Sequence, residues 1–269
     1  MICFPNAKIN LGLSVTEKRP DGMHNIETCF VPVPMYDVLE IQPSGSFSLK
    51  LFGLPLPDKL EDNLIVKAWN ILLSVKKNIK PVEVYLYKNI PGGSGLGGGS
   101  SNAAFFLKSM NSFFSLGFSN PDLELLAAEI GADAPFFINN KAAIATETGN
   151  IFHLIENPVY EMHITVVFPN IHISSKDAFA KVIPVKKSNL TNVLKSNISN
   201  WKNYLKNDFE EIIFRDFPET RNIKNHLYSS GAEYVSLSGS GSSIYALSTR
   251  PLYTEYFIGK YKIWTGVVK

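Results

Sequence analysis

Between Pro91 and Asn102 the chain runs Pro91, Gly92, Gly93, Ser94, Gly95, Leu96, Gly97, Gly98, Gly99, Ser100, Ser101, Asn102. A backbone with so few side chains can turn its N–H groups toward a bound anion at close range. An apolar helical pattern follows through Ala103, Ala104, Leu107, Met110 and Asn111. The positive end of that helix and its unpaired donors would add to the same site. The phosphates of a nucleotide fit this combination, with the Ser100 and Ser101 hydroxyls available to a phosphate oxygen or to Mg2+. A flexible linker is the alternative, but linkers rarely join a strand to an apolar helix. No glycine here precedes Lys and then Ser or Thr, so the loop is not a Walker A motif. Gly93, Gly95 and Gly98 satisfy GxGxxG, yet no acid ends a strand about twenty residues later, as a dinucleotide site would need.

Moving a phosphoryl group to an alcohol requires neutralising charge and a group that orients or deprotonates the hydroxyl. Lys8 and Asp133 are the candidates for those tasks. Lys8 shares the polar face of a strand pattern with Asn10, although a solvated edge lysine would look the same. Asp133 is surrounded by Gly131, Ala132, Ala134, Pro135, Phe136 and Phe137, an apolar setting for a carboxylate, with a helix cap as the competing role. His24 follows Asp21 and Gly22 in a turn and offers a ring that can donate or accept, although a lone histidine there is usually structural. A second small-residue loop, Ser236, Leu237, Ser238, Gly239, Ser240, Gly241, Ser242 and Ser243, reads either as a plain hairpin or as a close backbone approach to a ligand.

Regular elements must hold these residues in place. Ile9, Leu11, Leu13 and Val15 alternate with polar or small residues from Lys8 to Thr16, the period of a half-buried strand. Strand-like stretches follow at Ile26 to Val33, Val38 to Ile41 and Phe47 to Phe52. Leu64, Ala68, Ile71, Leu72 and Val75 recur at helical spacing, and Val82, Val84 and Leu86 form a strand leading into the glycine loop. The helix after the loop is expected to be capped by Ser100, Ser101 or Asn102. Asn120 and Pro121 open a further helix that Gly131 ends. Beyond Gly149 come a strand from Met162 to Phe168, helical segments between Ser174 and Ser229, and strands near 234–237, 244–247 and 263–268. A soft boundary therefore divides an N-terminal lobe, 1–149, from a C-terminal α+β lobe, 150–269.

The chain has 269 residues, 45% hydrophobic and 19% charged, an ordinary globular mixture. A net charge of +2 with dispersed lysines argues against nucleic acid and for a small-molecule partner. Cys3 and Cys29 form neither a CxxC pair nor a disulfide framework, so a reducing compartment is expected and no metal site. Neither a signal-peptide core nor a membrane-spanning run is present, which makes the cytoplasm the expected address.

Taken together, these residues resemble the superfamily named for galactokinase, homoserine kinase, mevalonate kinase and phosphomevalonate kinase. Its three motifs correspond to Pro5 through Leu13, Pro91 through Ala104, and Leu237 through Ser242. Within it, Ala7-Lys8-Ile9-Asn10-Leu11, Arg19-Pro20-Asp21-Gly22-Met23-His24, Asp62-Asn63-Leu64-Ile65 and Gly131-Ala132-Asp133-Ala134-Pro135-Phe136 look like the 4-diphosphocytidyl-2-C-methyl-D-erythritol kinase family. The resemblance implies an α+β, two-lobed fold with the active site in the cleft between lobes. It also implies transfer from ATP, with Mg2+, to the substrate's 2-hydroxyl in the non-mevalonate route to isoprenoid precursors, by a monomer or weak homodimer. Under it Asp133 is the base, Lys8 its charged partner and Asn10 a neighbour of the reacting hydroxyl. Asn63 and Lys88 lie near the adenine, His24 reads the cytosine edge and Phe179 stacks on the ring. The family usually has an aromatic residue where this chain has Met23, whose thioether can also cover a ring face. A related kinase for another alcohol would keep Lys8, the loop and Asp133 without that role for His24. A catalytically silent nucleotide-binding regulator would keep the loop but lose the base.

Overall fold

The computed structural model describes residues 1–56, 59–185 and 189–269. It mixes helices and strands in two compact units that interleave along the chain. One unit comprises Met1–Ala7, Met35–Gly92 and Gly97–Asn140, and the other Lys8–Pro34, Gly93–Leu96 and Lys141–Lys269.

The first unit is built on a four-stranded sheet in the order Ile2–Cys3, Val38–Pro43, Val82–Lys88, Ser48–Gly53. The last two of these run parallel and the other pairs antiparallel. Val82, Val84 and Leu86 are fully buried while Glu83, Tyr85 and Tyr87, which alternate with them, are not, the alternation that the strand period predicts. Helices Leu64–Val75, Gly98–Phe113 and Asn120–Ile130 pack on one another, burying Ile65, Ala68 and Leu72 from the first, Phe106, Leu107 and Met110 from the second, and Leu123, Leu126 and Ala127 from the third. The Asn120–Ile130 helix starts with a reciprocal capping box between Ser119 and Asp122, and Pro121 takes a position where a missing N–H does no harm.

The second unit holds two four-stranded sheets. One runs Asn6–Lys18, His24–Tyr36, Ala143–Thr146, Ile151–Leu154, its first strand starting in the other unit; the second runs Tyr234–Leu237, Ile244–Ser248, His163–Phe168, Lys262–Val267. Helices Ser175–Lys181, Glu210–Asp216 and Pro218–Ser229 belong to the same unit. Val15, Val167, Phe209, Ile223, Leu227, Leu237 and Phe257 share one apolar core there. Each such side chain contributes about 1.5–3 kcal/mol by leaving water.

Two expectations change at this level. The strand Asn6–Lys18 is not half-buried: both of its faces are covered from Asn6 to Leu13, so the polar residues on it are enclosed along with the apolar ones. The helix after the glycine loop is not capped by a serine or by Asn102. It begins at Gly98, and its N-cap is Gly97 in the left-handed region (φ 70°) with no side-chain cap bond, a conformation that glycine accepts freely. The hairpin Ala143–Thr146 and Ile151–Leu154 gave too short an alternation to read from sequence. Residues 186–188, inside the stretch expected to be helical, lie outside the described residues. Among the described residues, no helix is long and apolar enough to cross a membrane.

Candidate active site

The glycine loop leaves the strand Val82–Lys88 and passes through three left-handed glycines, Gly93, Gly95 and Gly97, before the helix begins. The start of the first helical turn, Gly98, Gly99 and Ser100, thus keeps backbone donors that no side-chain cap satisfies, while the Ser101 N–H already donates to the Gly97 carbonyl at 2.9 Å. The Ser101 hydroxyl is fully buried and has no hydrogen-bond partner. An orphaned hydroxyl in the first turn of an uncapped helix fits a site for phosphate oxygens and their counter-ion. Among the described residues, no group of three or more His, Cys, Asp or Glu side chains could hold a metal by itself.

The loop between Tyr234–Leu237 and Ile244–Ser248 is the hairpin that its sequence allowed. It closes a hairpin whose last register pair is Leu237 with Ile244. It also backs the glycine loop: the Ser238 hydroxyl donates to the Gly95 carbonyl at 2.9 Å, and the Ser243 N–H donates to the Ser94 carbonyl at 3.1 Å. Asn207, buried and not legible from sequence, donates from Nδ2 to the carbonyls of Leu237 and Gly239, both at 2.9 Å, and so fixes the second loop.

Lys8 is 3% exposed, which removes the solvated-edge alternative. Its Nζ donates to Asn10 Oδ1 at 2.7 Å and lies 4.7 Å from the centre of the Phe30 ring. Its backbone N–H donates to the Leu96 carbonyl at 2.9 Å, tying this strand to the glycine loop. The neighbouring Asn10 has its carbonyl held by the buried Tyr245 hydroxyl at 2.6 Å.

His24 opens the strand His24–Tyr36 after a turn in which Arg19 N–H donates to the Met23 carbonyl and Met23 N–H to Asp21 Oδ1. Its ring centroid is 5.2 Å from that of Phe179, which packs edge-on against Phe209 at 4.8 Å. Partial burial first, and the charge of Lys18 second, push its pKa down, so the ring is neutral at neutral pH. Met23 beside it is half exposed.

Asp133 sits in the turn between helices Asn120–Ile130 and Phe136–Asn139, where the Ala134 N–H donates to the Gly131 carbonyl. The Phe136–Asn139 helix has Pro135 at its N-cap. Asn63 does cap: its Oδ1 accepts from Ile65 N–H at 2.9 Å at the start of Leu64–Val75. Lys88 is buried, and its Nζ donates to the carboxylate of Asp37 and, at 2.9 Å, to Asn102 Oδ1. Asp37 also accepts from the N–H groups of Asn89 and Ile90, at 2.7 and 2.8 Å, and from Asn102 Nδ2. Burial pushes the Lys88 pKa down and Asp37 opposes it. This node ties the end of the strand before the glycine loop to the helix after it, so Lys88 braces that loop from inside the fold.

The chain is similar along most of its length to known kinases. Residues 63–141 match the GHMP kinases N terminal domain. A 4-diphosphocytidyl-2-C-methyl-D-erythritol kinase of Bacteroides thetaiotaomicron is 47% identical over 252 residues, 92% of each chain. A crystal structure of a 4-(cytidine 5'-diphospho)-2C-methyl-D-erythritol kinase superposes with a TM-score of 0.84 at 28% identity, covering 99% of this chain and 98% of that one. The Methanococcus jannaschii mevalonate kinase superposes with a TM-score of 0.72 at 13% identity, covering 98% and 97%, a likeness of fold alone.

Proposed function

The chain belongs to the 4-diphosphocytidyl-2-C-methyl-D-erythritol kinase family of the GHMP kinases, and from that membership we propose how its residues carry out phosphoryl transfer from ATP to the 2-hydroxyl of the family's substrate. The hydroxyl oxygen attacks the γ-phosphorus, the bond from that phosphorus to the β–γ bridging oxygen breaks, and ADP leaves. Asp133 takes the hydroxyl proton. Lys8 supplies fixed positive charge to the oxygens of the moving phosphoryl group, and Asn10 orients Lys8 and the acceptor. The backbone donors from Gly92 to Gly99 and the first turn of the helix Gly98–Phe113 hold the polyphosphate.

The Ser100 and Ser101 hydroxyls are the side chains that would hold Mg2+, which would supply positive charge to the polyphosphate when bound with ATP. The observation that carries the nucleotide part of this reading is the uncapped, glycine-led helix start with its orphaned Ser101 hydroxyl. Asn63 and Lys88 flank the nucleotide through their elements, and the reaction takes place in the cytoplasm. The protein acts on this small molecule as a monomer or weak homodimer.

Incubation with ATP, Mg2+ and the cytidine substrate, followed by phosphorus NMR of the product, tests the assignment. A phosphomonoester on the 2-oxygen is expected. Phosphorylation of other alcohols in preference, or ATP binding with no transfer to any, would replace it.

The neutral His24 ring beside Phe179 is the recognition element for the base. His24→Ala is expected to raise KM for the cytidine substrate on the order of 10- to 100-fold, the effect of losing a hydrogen bond and a ring face together. KM for ATP should stay within about twofold, because no bond to the nucleotide loop is removed. An unchanged KM for the cytidine substrate would take His24 out of the site.

A further inference from the structure

Asn10 is placed by a chain of hydrogen bonds that sequence reading did not detect. Its amide lies between Lys8 Nζ, 2.7 Å from Oδ1, and Thr28 Oγ1, 3.0 Å from Nδ2. Thr28 Oγ1 is in turn 2.5 Å from the Gly12 carbonyl oxygen. Lys8, Asn10 and Thr28 are all buried.

The two ends of this chain fix the direction of every bond in it. A carbonyl oxygen only accepts, so the Thr28 proton goes to Gly12, and toward Asn10 the hydroxyl can only accept. An ammonium group only donates, so the amide must face Lys8 with its oxygen. One amide orientation satisfies both ends; the flipped one sets N–H against N–H at one end and oxygen against oxygen at the other. Gly12 itself is held in place, since it sits at φ 62° within the strand and a Cβ there would come 2.7 Å from a Leu205 methyl.

We infer that Thr28 is a positioning residue for phosphoryl transfer: by accepting from Asn10 Nδ2 it locks the amide so that its oxygen holds the Lys8 ammonium. The inference rests on the proposed roles of Lys8 and Asn10. Thr28 acts through Asn10 and touches neither substrate.

A double-mutant cycle decides the matter. Thr28→Val keeps the shape and removes the hydroxyl. It is expected to lower kcat on the order of 10- to 100-fold with KM for ATP nearly unchanged, since the nucleotide loop is untouched. In an Asn10→Ala background the same substitution should cost less than about threefold, because its route to the chemistry is already gone. Thr28→Ser restores the hydroxyl and should recover most of the turnover. Equal losses in both backgrounds, or parent-like kcat for Thr28→Val in a folded protein, would overturn the inference.

Should Thr28→Val fail to fold, Asn10→Asp provides the reading without altering Thr28. A carboxylate beside Lys8 ought to help if charge alone mattered. Here its second oxygen would meet a hydroxyl whose proton is committed to Gly12, so a fall in kcat comparable to that of Asn10→Ala is expected, and parent-like turnover would refute the lock. Product formation by the unsubstituted protein, measured in parallel, separates failure of the kinase assignment from failure of this inference.

Discussion

Asp133→Asn is expected to lower turnover by about 10²- to 10⁴-fold, the range of a lost general base, while leaving melting temperature and ATP affinity close to the parent. The substitution keeps the shape of the side chain and removes only its capacity to take a proton. Asp133 is half-buried in a turn that continues into buried Ala134, Pro135, Phe136 and Phe137. Phosphoryl transfer is mainly positioning and electrostatic stabilisation, so a base aligned on the hydroxyl acts on the chemical step and hardly on ground-state binding. A capping role would give a different result, because Asn caps about as well as Asp and both turnover and stability would then be preserved. Turnover and melting measured on one preparation decide the question: parent-like turnover would end the candidacy of Asp133 as the base.

The candidate site residues are legible in the sequence to a degree that their supports are not. The glycine loop announces itself because glycine at high local density has few other uses between a strand and a helix. Lys8 and Asn10 stand out because they interrupt an apolar alternation. Asp37, Thr28 and Asn207 are single polar residues in unremarkable surroundings, and each acquires its role from partners distant in the chain. Asp37 collects donors from Lys88, Asn89, Ile90 and Asn102, and Asn207 reaches the carbonyls of Leu237 and Gly239. No periodicity marks such a residue; only the fold that brings its partners to it does.

The helix start illustrates the same limit in the backbone. Serine and asparagine are the preferred N-caps, so Ser100 to Asn102 is the natural reading of that sequence. The helix begins two residues before Ser100 because Gly97 adopts a left-handed conformation and leaves the first turn uncapped, which is the state an anion would complete. Likewise, alternation along Lys8 to Thr16 correctly gave a strand but not its burial. Period two reports which residues share a face, and cannot tell whether the polar face meets water or a site.

Gly95→Ala tests how closely the two small-residue loops must approach. Gly95 lies at φ 80°, and a Cβ there would come 2.0 Å from the Ser238 carbonyl oxygen and 3.0 Å from that of Gly241. Both obstacles are backbone, so no side-chain rotation relieves them. A left-handed non-glycine residue costs about 1–3 kcal/mol, and overpacking costs about 1–3 kcal/mol more, together roughly 2–6 kcal/mol. For a chain of this size that corresponds to a Tm lower by on the order of 5–20 °C. Relief by separating the loops would break the Ser238 to Gly95 and Ser243 to Ser94 bonds and move the phosphate donors, so ATP affinity should fall at least tenfold in whatever folded protein remains. Gly117→Ala is the control, since Gly117 has φ 81° but nothing within 4 Å of a Cβ. It carries the conformational strain without the collision and lies outside the loop, so about 1–3 kcal/mol of destabilisation and unchanged ATP affinity are expected. If Gly95→Ala proves no more damaging than Gly117→Ala in both measurements, the close approach of the loops is not what the glycine serves.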